Sequence, residues 1–364
     1  MRTLSGPPTV DERPPSPRRG SGAVPGLHDR EPGTVKVWAF AGTVMLAWIA
    51  QGWIRWIGSD DFRPVSRGPD RIPTFDLVML RTLEVASLAI MVWLVWHTIV
   101  RPLRRERRIG FDGKLLLAGM FGYFVDQFIN IYNVSFTFNA YAVNRGSWGN
   151  FIPGMHAPLQ GRAAEGLLWA WAMYTYFVVA AALLGSKLLR FLERRYPAMS
   201  SAGLWAITYA VFFVADILIE LPLFVHQGVY AYAGVPKALS LFAGRSYQFP
   251  MYEPVFVALV CFSATWLRES RDDRGRSRVE RGVDELRIGR RAKEAVSFAA
   301  ITGFTISLLT LAYFIPFSWM SMQSDSYPAL PSYLKTNAYC GTPGTGRPCP
   351  SQLVDRIPPA GAKP

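Results

Sequence analysis

Cysteine and histidine are scarce in this chain. Three cysteines among 364 residues exclude a disulfide-dense scaffold and a multi-cysteine zinc or iron–sulfur framework. The four histidines, at 28, 97, 156 and 226, leave little for a haem or zinc centre, so no metal and no cofactor is expected. There is no glycine-rich phosphate loop, no GxSxG elbow and no HExxH pair. Charge is short too: 18% of residues are ionisable at neutral pH, where a soluble domain carries about 25%. That shortfall argues against a soluble enzyme. Export signals are not expected either, because the pair Arg18 and Arg19 leads into Gly20 and Ser21 instead of an apolar stretch.

Long apolar runs take their place. A helix needs about 20 mainly apolar residues to cross roughly 30 Å of hydrocarbon, and seven segments qualify: 37–56, 75–100, 111–132, 165–189, 203–225, 249–267 and 295–319. The expected fold is all-α, a polytopic bundle of seven transmembrane helices over residues 36–320. Residues 1–35, with seven prolines and five glycines, cannot bury enough apolar surface to offset chain entropy and read as a disordered cytoplasmic tail. Residues 321–364 read as an extracytoplasmic tail, in which Cys340 and Cys349 flank GTPGTGRP at a spacing that suits a small disulfide loop.

The net charge of +13 raises nucleic acid as a partner, but the placement of the charge speaks for a membrane. Connections 101–110, 187–200 and 268–294 hold nineteen Lys and Arg, against seven in 58–74, 133–162 and 226–250. Basic loops stay inside, which puts the N-terminus in the cytoplasm and the C-terminus outside. Connection 268–294 mixes ten basic with seven acidic residues, too diluted for a nucleic-acid groove. It is expected to be a solvated helix beside anionic lipid headgroups. No internal repeat is visible, which weakens transporter readings built on inverted repeats.

Inside these apolar segments sit polar residues, each costing roughly 2.5–3.5 kcal/mol at mid-bilayer. They are Arg81 and Glu84 in the second, Asp126, Gln127 and Asn130 in the third, Glu165 in the fourth, Asp216 and Glu220 in the fifth and Glu253 in the sixth, with His226 at the end of the fifth. In the deduced orientation all fall at one level, toward the outside. Asp126 and Asn130 are four apart, as are Asp216 and Glu220, so in an α-helix each pair shares a face. Arg81 and Glu84 read equally well as an intrahelical ion pair, and Glu165 and Glu253 as interfacial groups. The aromatic, glycine-rich connections 135–158 and 228–254 are placed to cover a pocket, with Trp148 partly buried in the lid and Tyr247, Tyr252 and Glu253 beside prolines at the rim, while His156, next to Met155 in a loop, reads more readily as an ordinary surface residue than as a ligand. Phe136, Phe138, Tyr141, Trp148 and Phe151 read equally as an interfacial aromatic belt. Cys261 reads as a packing residue.

Intramembrane carboxyls usually line substrate or proton paths. Asp126, Asp216 and Glu220 are therefore the candidate catalytic groups. Asn130, Gln127, Glu84, Arg81, Glu165, Trp148, His156, His226, Tyr252 and Glu253 are candidate contacts for an apolar small-molecule substrate. Carboxyls, amides and phenols without a nucleotide motif suit proton transfer.

The proline-rich start, the seven segments, DQFIN (126–130), GSWGNFIPG (146–154) and FPMYEP (249–254) resemble the actinobacterial AveC-like family, named for the spiroketal cyclase of avermectin biosynthesis, over about residues 36–320. The resemblance implies closure of a dihydroxyketone polyketide into a spiroketal in secondary metabolism, in some members with dehydration. It carries no catalytic residue across. Membrane lipids are expected partners and nucleic acid is not. The residues themselves leave two other readings open: a proton-coupled transporter of an apolar metabolite or lipid, and a non-catalytic scaffold whose polar groups lock helices together.

Overall fold

The structure is a computed structural model that describes residues 33–68, 70–131, 135–153, 155 and 163–335. His156, Cys340 and Cys349 lie outside the described residues, as do nearly all of the expected N-terminal tail and the chain beyond 335.

Each of the seven apolar segments contributes a helix: α1 (Gly33–Ile57), α2 (Thr74–Glu106), α3 (Phe111–Gly122), α4 (Ala170–Arg195), α5 (Ser201–Val225), α6 (Glu253–Glu269) and α7 (Arg290–Ser321). Five of them, all but α3 and α6, are long and apolar enough to cross a membrane. The other two have 12 and 17 residues, short of the expected spans for identifiable reasons. At Gly122 the third segment tightens into a 3-10 helix, Tyr123–Asn130. The sixth begins as a strand, Phe249–Pro250, and turns helical only at Glu253, with Pro254 in the first turn, where a missing N–H costs nothing. Non-helical backbone of this kind is tolerated in an apolar environment only where protein surrounds it, and α3 and its 3-10 extension are buried almost throughout.

The outer faces of the long helices are apolar and bare. Phe40 is 73% exposed, Ile54 70%, Val85 70% and Leu218 68%, a surface suited to lipid and costly in water. Between apolar helices in lipid there is no hydrophobic drive to associate, so close packing of small residues takes over. A Cβ on Gly42 of α1 would lie 1.9 Å from the Ala299 carbonyl oxygen, and one on Gly303 of α7 would lie 2.3 Å from that of Trp38. Alanine at either position therefore pushes α1 and α7 apart.

Three of the α-helices are widened into π turns beside a proline: Trp96–Val100 precedes Pro102, Leu221–Val225 contains Pro222 and Thr310–Phe314 precedes Pro316. Proline lacks the N–H and crowds the preceding turn; here the relaxation turns Tyr313 and Phe224 toward the same interior space.

The connections add two small antiparallel ribbons to the helical fold. β1 (Phe136–Phe138) pairs with β2 (Tyr230–Tyr232), and β3 (Ser240–Leu241) with β4 (Phe249–Pro250). The chain after α7 is not a free tail up to residue 335. Val235 bridges to Ser326, Leu330, Tyr333 and Leu334 are buried, and the Ala140 N–H donates to the Tyr333 carbonyl at 2.8 Å.

The connection 268–294 is not the expected solvated helix. It is a folded loop with one short 3-10 turn, Arg278–Glu280, and Glu280 is 1% exposed. Its carboxylate accepts from the Ser277 N–H at 2.8 Å and from the Ser297 hydroxyl, with Lys114 Nζ 3.9 Å away. Lys114 also donates to Ser297 Oγ at 2.6 Å and to Glu294. A charged group buried this deeply needs such a shell of partners, and only a loop brings them round it.

Candidate functional site

At the far end of α3 from Lys114 lies a cavity of about 580 Å³, within the range of small-molecule pockets. Asp126, Asp216, Glu220 and Glu253 all line it, as do Tyr174, Tyr176, Tyr230, Tyr232 and Tyr313. The rest of the wall is apolar, and no lysine, arginine or histidine lines it among the described residues.

Asp126 reaches the cavity because of the 3-10 helix. With three residues per turn, Tyr123, Asp126 and Ile129 stack on one face, and Asp126 and Ile129 both line the wall. The α-helical spacing that would put Asn130 beside Asp126 does not apply. Asn130 instead clamps the following turn, accepting from the N–H groups of Ser135 and Phe136 at 3.0 Å each and donating to the Phe136 carbonyl at 2.8 Å. Asp126 accepts from the Tyr174 hydroxyl at 2.6 Å. Behind it sits Glu165, in the non-helical lead into α4 and 2% exposed. Glu165 is held by the Tyr123 hydroxyl at 2.9 Å and the Gln127 amide at 2.7 Å, and Gln127 in turn accepts from Ser147 at 2.7 Å.

Across the cavity, Asp216 and Glu220 share a face of α5 as their spacing requires, and Glu253 projects from the first turn of α6, where the helix dipole favours a carboxylate. One oxygen from each of the three lies within 4.8 Å of the others, a spacing from which oxygen ligands can hold a single hard cation. Glu220 accepts from the Tyr232 hydroxyl and Glu253 from that of Tyr313 at 3.2 Å. Oδ2 of Asp216 and Oε2 of Glu253 have no partner. The array can therefore give and take protons at several points around one apolar space, flanked by aromatic faces from Phe136, Phe138 and Trp169.

The remaining sequence candidates lie elsewhere. Arg81 pairs with Glu84, three residues on, and the two hold the loop 141–143: Arg81 donates to the Tyr141 carbonyl at 2.9 Å, and Glu84 accepts from the Val143 N–H at 2.7 Å. Trp148 is fully buried. Its ring packs on Trp56 at 5.3 Å and Tyr123 at 5.0 Å, and its indole N–H donates to the Phe124 carbonyl at 2.8 Å, so it is core and not lid. Tyr252 packs on Phe317 at 5.0 Å, outside the cavity wall, and His226 is exposed beside Tyr247.

Sequence reasoning missed the tyrosines. Tyr174 and Tyr313 were visible as phenols inside apolar segments, and Tyr230 and Tyr232 as an alternating pair whose shared strand face is the cavity wall. Cys261, read as packing, also lines the cavity.

In comparison with protein families, residues 106–338 match the family described as "Spirocyclase AveC-like". No curated protein and no solved structure matches.

Proposed function

We propose that this chain, which belongs to the AveC-like spirocyclase family, closes an apolar dihydroxyketone of polyketide type into a spiroketal by proton transfer in the cavity, without a cofactor. One observation carries the reading: four carboxyls and five phenols face a single apolar space that no cationic side chain among the described residues neutralises.

The chemistry needs little else. Attack of one substrate hydroxyl on the ketone gives a hemiketal. A carboxylic acid then protonates the hemiketal hydroxyl, water leaves, and an oxocarbenium ion forms. The second hydroxyl attacks that carbon while a carboxylate removes its proton, so the net change is loss of one water. Asp126 stands on one wall and the Asp216, Glu220 and Glu253 group on another, which provides an acid and a base on two sides of the reacting carbon. Tyr174, Tyr232 and Tyr313 hold three of these carboxyls in place and relay protons. The ionised members and the aromatic faces stabilise the cation. General acid–base assistance of this kind is worth about 10²–10⁴ in rate, and the shape of the wall selects the stereoisomer.

In the membrane, α3 with its 3-10 extension and α6 complete a seven-segment bundle, with the N-terminus and the Lys114 end in the cytoplasm and the cavity toward the outside. Asp126, Asp216 and Glu220 are the catalytic groups of this reading. Glu253 and Glu165 belong to it as the carboxyls that face or back them.

The test is turnover in detergent. Purified protein should convert a dihydroxyketone into a product lighter by one water, with the spiro carbon seen by NMR. Full activity of the Asp126→Asn, Asp216→Asn and Glu220→Gln variants would end the mechanism. A requirement for sealed vesicles and a pH gradient would replace the cyclase with a proton-coupled transporter.

A further inference from the structure

The cavity has a shape that acid–base chemistry alone does not call for. Its α4 wall carries, besides Tyr174 and Tyr176, one apolar stripe, Trp169, Met173, Phe177, Ala181, Leu184 and Leu188, spaced by three or four residues and so on one helix face. At 1.5 Å per residue the stripe is about 28 Å long. Its two ends differ. The Trp169 end faces the carboxyls and phenols, because α5 runs antiparallel and brings Asp216 and Glu220 alongside the start of α4. The Leu188 end meets apolar side chains, Val211 and Phe212 of α5 among them.

One side of this trough is open. Leu184 is 59% exposed, Val211 43% and Ile219 51%, yet all three line the cavity. A side chain that borders a cavity and is also exposed stands at its mouth. α4 and α5 close on each other near their connecting turn, around Leu189, Leu192 and Leu204, and meet again at the far end, where Trp169 lies 6.3 Å from Phe224. Between these ends α5 leans on α6: Trp205 packs on Phe262 at 5.0 Å, and the Tyr209 hydroxyl donates to the Val255 carbonyl at 2.9 Å. The seam between α4 and α5 therefore gapes at Leu184 and Val211. Both helices are long and apolar enough to cross a membrane, so the mouth faces hydrocarbon.

We propose that the cavity is a trough for a long-chain, uncharged molecule with an oxygenated head, admitted sideways from the bilayer between α4 and α5. The head lies among the carboxyls and phenols, and the chain lies along the α4 stripe. What happens to the head rests on the cyclase reading; the route does not. A phospholipid is the wrong occupant, because its phosphate would meet Asp126, Asp216, Glu220 and Glu253 with no cationic side chain on the wall among the described residues. A neutral ketone and hydroxyls at the end of an alkyl or polyketide chain match both halves.

Carbodiimide labelling of the full chain in phosphatidylcholine vesicles tests this. Dicyclohexylcarbodiimide dissolves in the bilayer and adds to a protonated carboxyl to leave an N-acylurea, whereas a cationic water-soluble carbodiimide arrives from the aqueous side. Peptide mass spectrometry should find the apolar reagent on Asp216, Glu220 or Glu253 and the cationic one slower there by about tenfold or more. Leu184→Trp combined with Val211→Trp fills the mouth without touching a carboxyl and should slow the apolar reagent by about tenfold. The pair Leu184→Ala and Val211→Ala should label at least as fast as the parent, which separates blocking from misfolding. Hexadecanediol in the vesicles should protect the carboxyls, and added phosphatidylglycerol should not.

Equal labelling by both reagents, no labelling by either, or an unchanged rate in the Trp pair would overturn the lateral route. Protection by phosphatidylglycerol and not by the diol would overturn the uncharged head. Labelling is blind to turnover: a protein that labels as expected and never cyclises keeps the trough and loses the cyclase.

Discussion

Two buried acidic clusters lie at the two ends of α3 and its 3-10 extension, and they are built on opposite principles. Around Glu280, every carboxylate has a positive or donating neighbour: Lys114, Arg276, Ser277 and Ser297 close on Glu280, while Arg268 grips Asp112 through two bonds at 2.9 and 3.2 Å. In the cavity, Asp126, Glu220 and Glu253 each accept from a phenol, Asp216 has only the neighbouring carboxyls beside it, none has a cation on the wall among the described residues, and two of the oxygens accept no hydrogen bond. A fully paired carboxylate is committed to holding loops together. One left with spare acceptors beside open space is free to exchange a proton with something that enters. On the proposed function, the difference gives structure to one end of the molecule and chemistry to the other.

The sharpest way to break that assignment is at the cavity. Asp126→Asn, Asp216→Asn and Glu220→Gln keep the side-chain shapes, and turnover of at least one should fall by about 10²–10⁴ with the thermal midpoint little changed. A large loss of stability with activity intact would put these carboxyls in the same class as Glu280.

At the other end the order should reverse. Lys114→Met leaves Glu280 buried beside a neutral chain and should cost about 3–5 kcal/mol of stability, read by denaturation in detergent, while activity per folded molecule stays near the parent's. Adding Glu280→Gln should recover part of the loss, as a double-mutant cycle would register.

Asn130 tests whether the cavity wall depends on its frame. Asn130→Ala abandons the buried N–H groups of Ser135 and Phe136 and should cost about 1–3 kcal/mol. Because β1 carries Phe136 and Phe138 into the cavity, substrate affinity should weaken more than the chemical step, visible as a rise in KM at nearly constant kcat. The smallest effect belongs to a surface pair: Arg190→Gln removes a 3.4 Å contact with Glu269 between half-exposed and one-third-exposed side chains, and stability should change by no more than about 1 kcal/mol.

The helices were legible because each apolar segment satisfies its own backbone and its limits are local. The Ser200 hydroxyl accepts from the Gly203 N–H and starts α5, two residues before the expected first residue of that segment. The i,i+4 spacing also read Asp216 and Glu220 correctly as one face, since α5 is a regular helix there. The same rule failed for Asp126 and Asn130, because nothing in DQFIN announces a 3-10 helix. That tightening accompanies burial of Tyr123, Phe124 and Trp148 against one another and against α1. The tyrosines were missed for a related reason: Tyr174 lies 48 residues from Asp126 and Tyr313 lies 60 from Glu253, and periodicity carries no information about partners at that range. Arg81 and Glu84 were visible as an ion pair at local spacing, whereas their hold on the loop at Tyr141 and Val143 was not.

The sequence by itself determined that this chain is helical and apolar, where its long segments run, and that carboxyls recur within them, because those properties follow from composition and short-range periodicity. Only the tertiary structure decided which carboxyls share a cavity and which are locked in pairs. It also decided that two aromatic strands from distant connections complete the wall, and that α4 and α5 part at Leu184 and Val211. Each of these is a contact between residues far apart in the chain, set by how bulky and small side chains interlock between helices, and no local pattern encodes that fit.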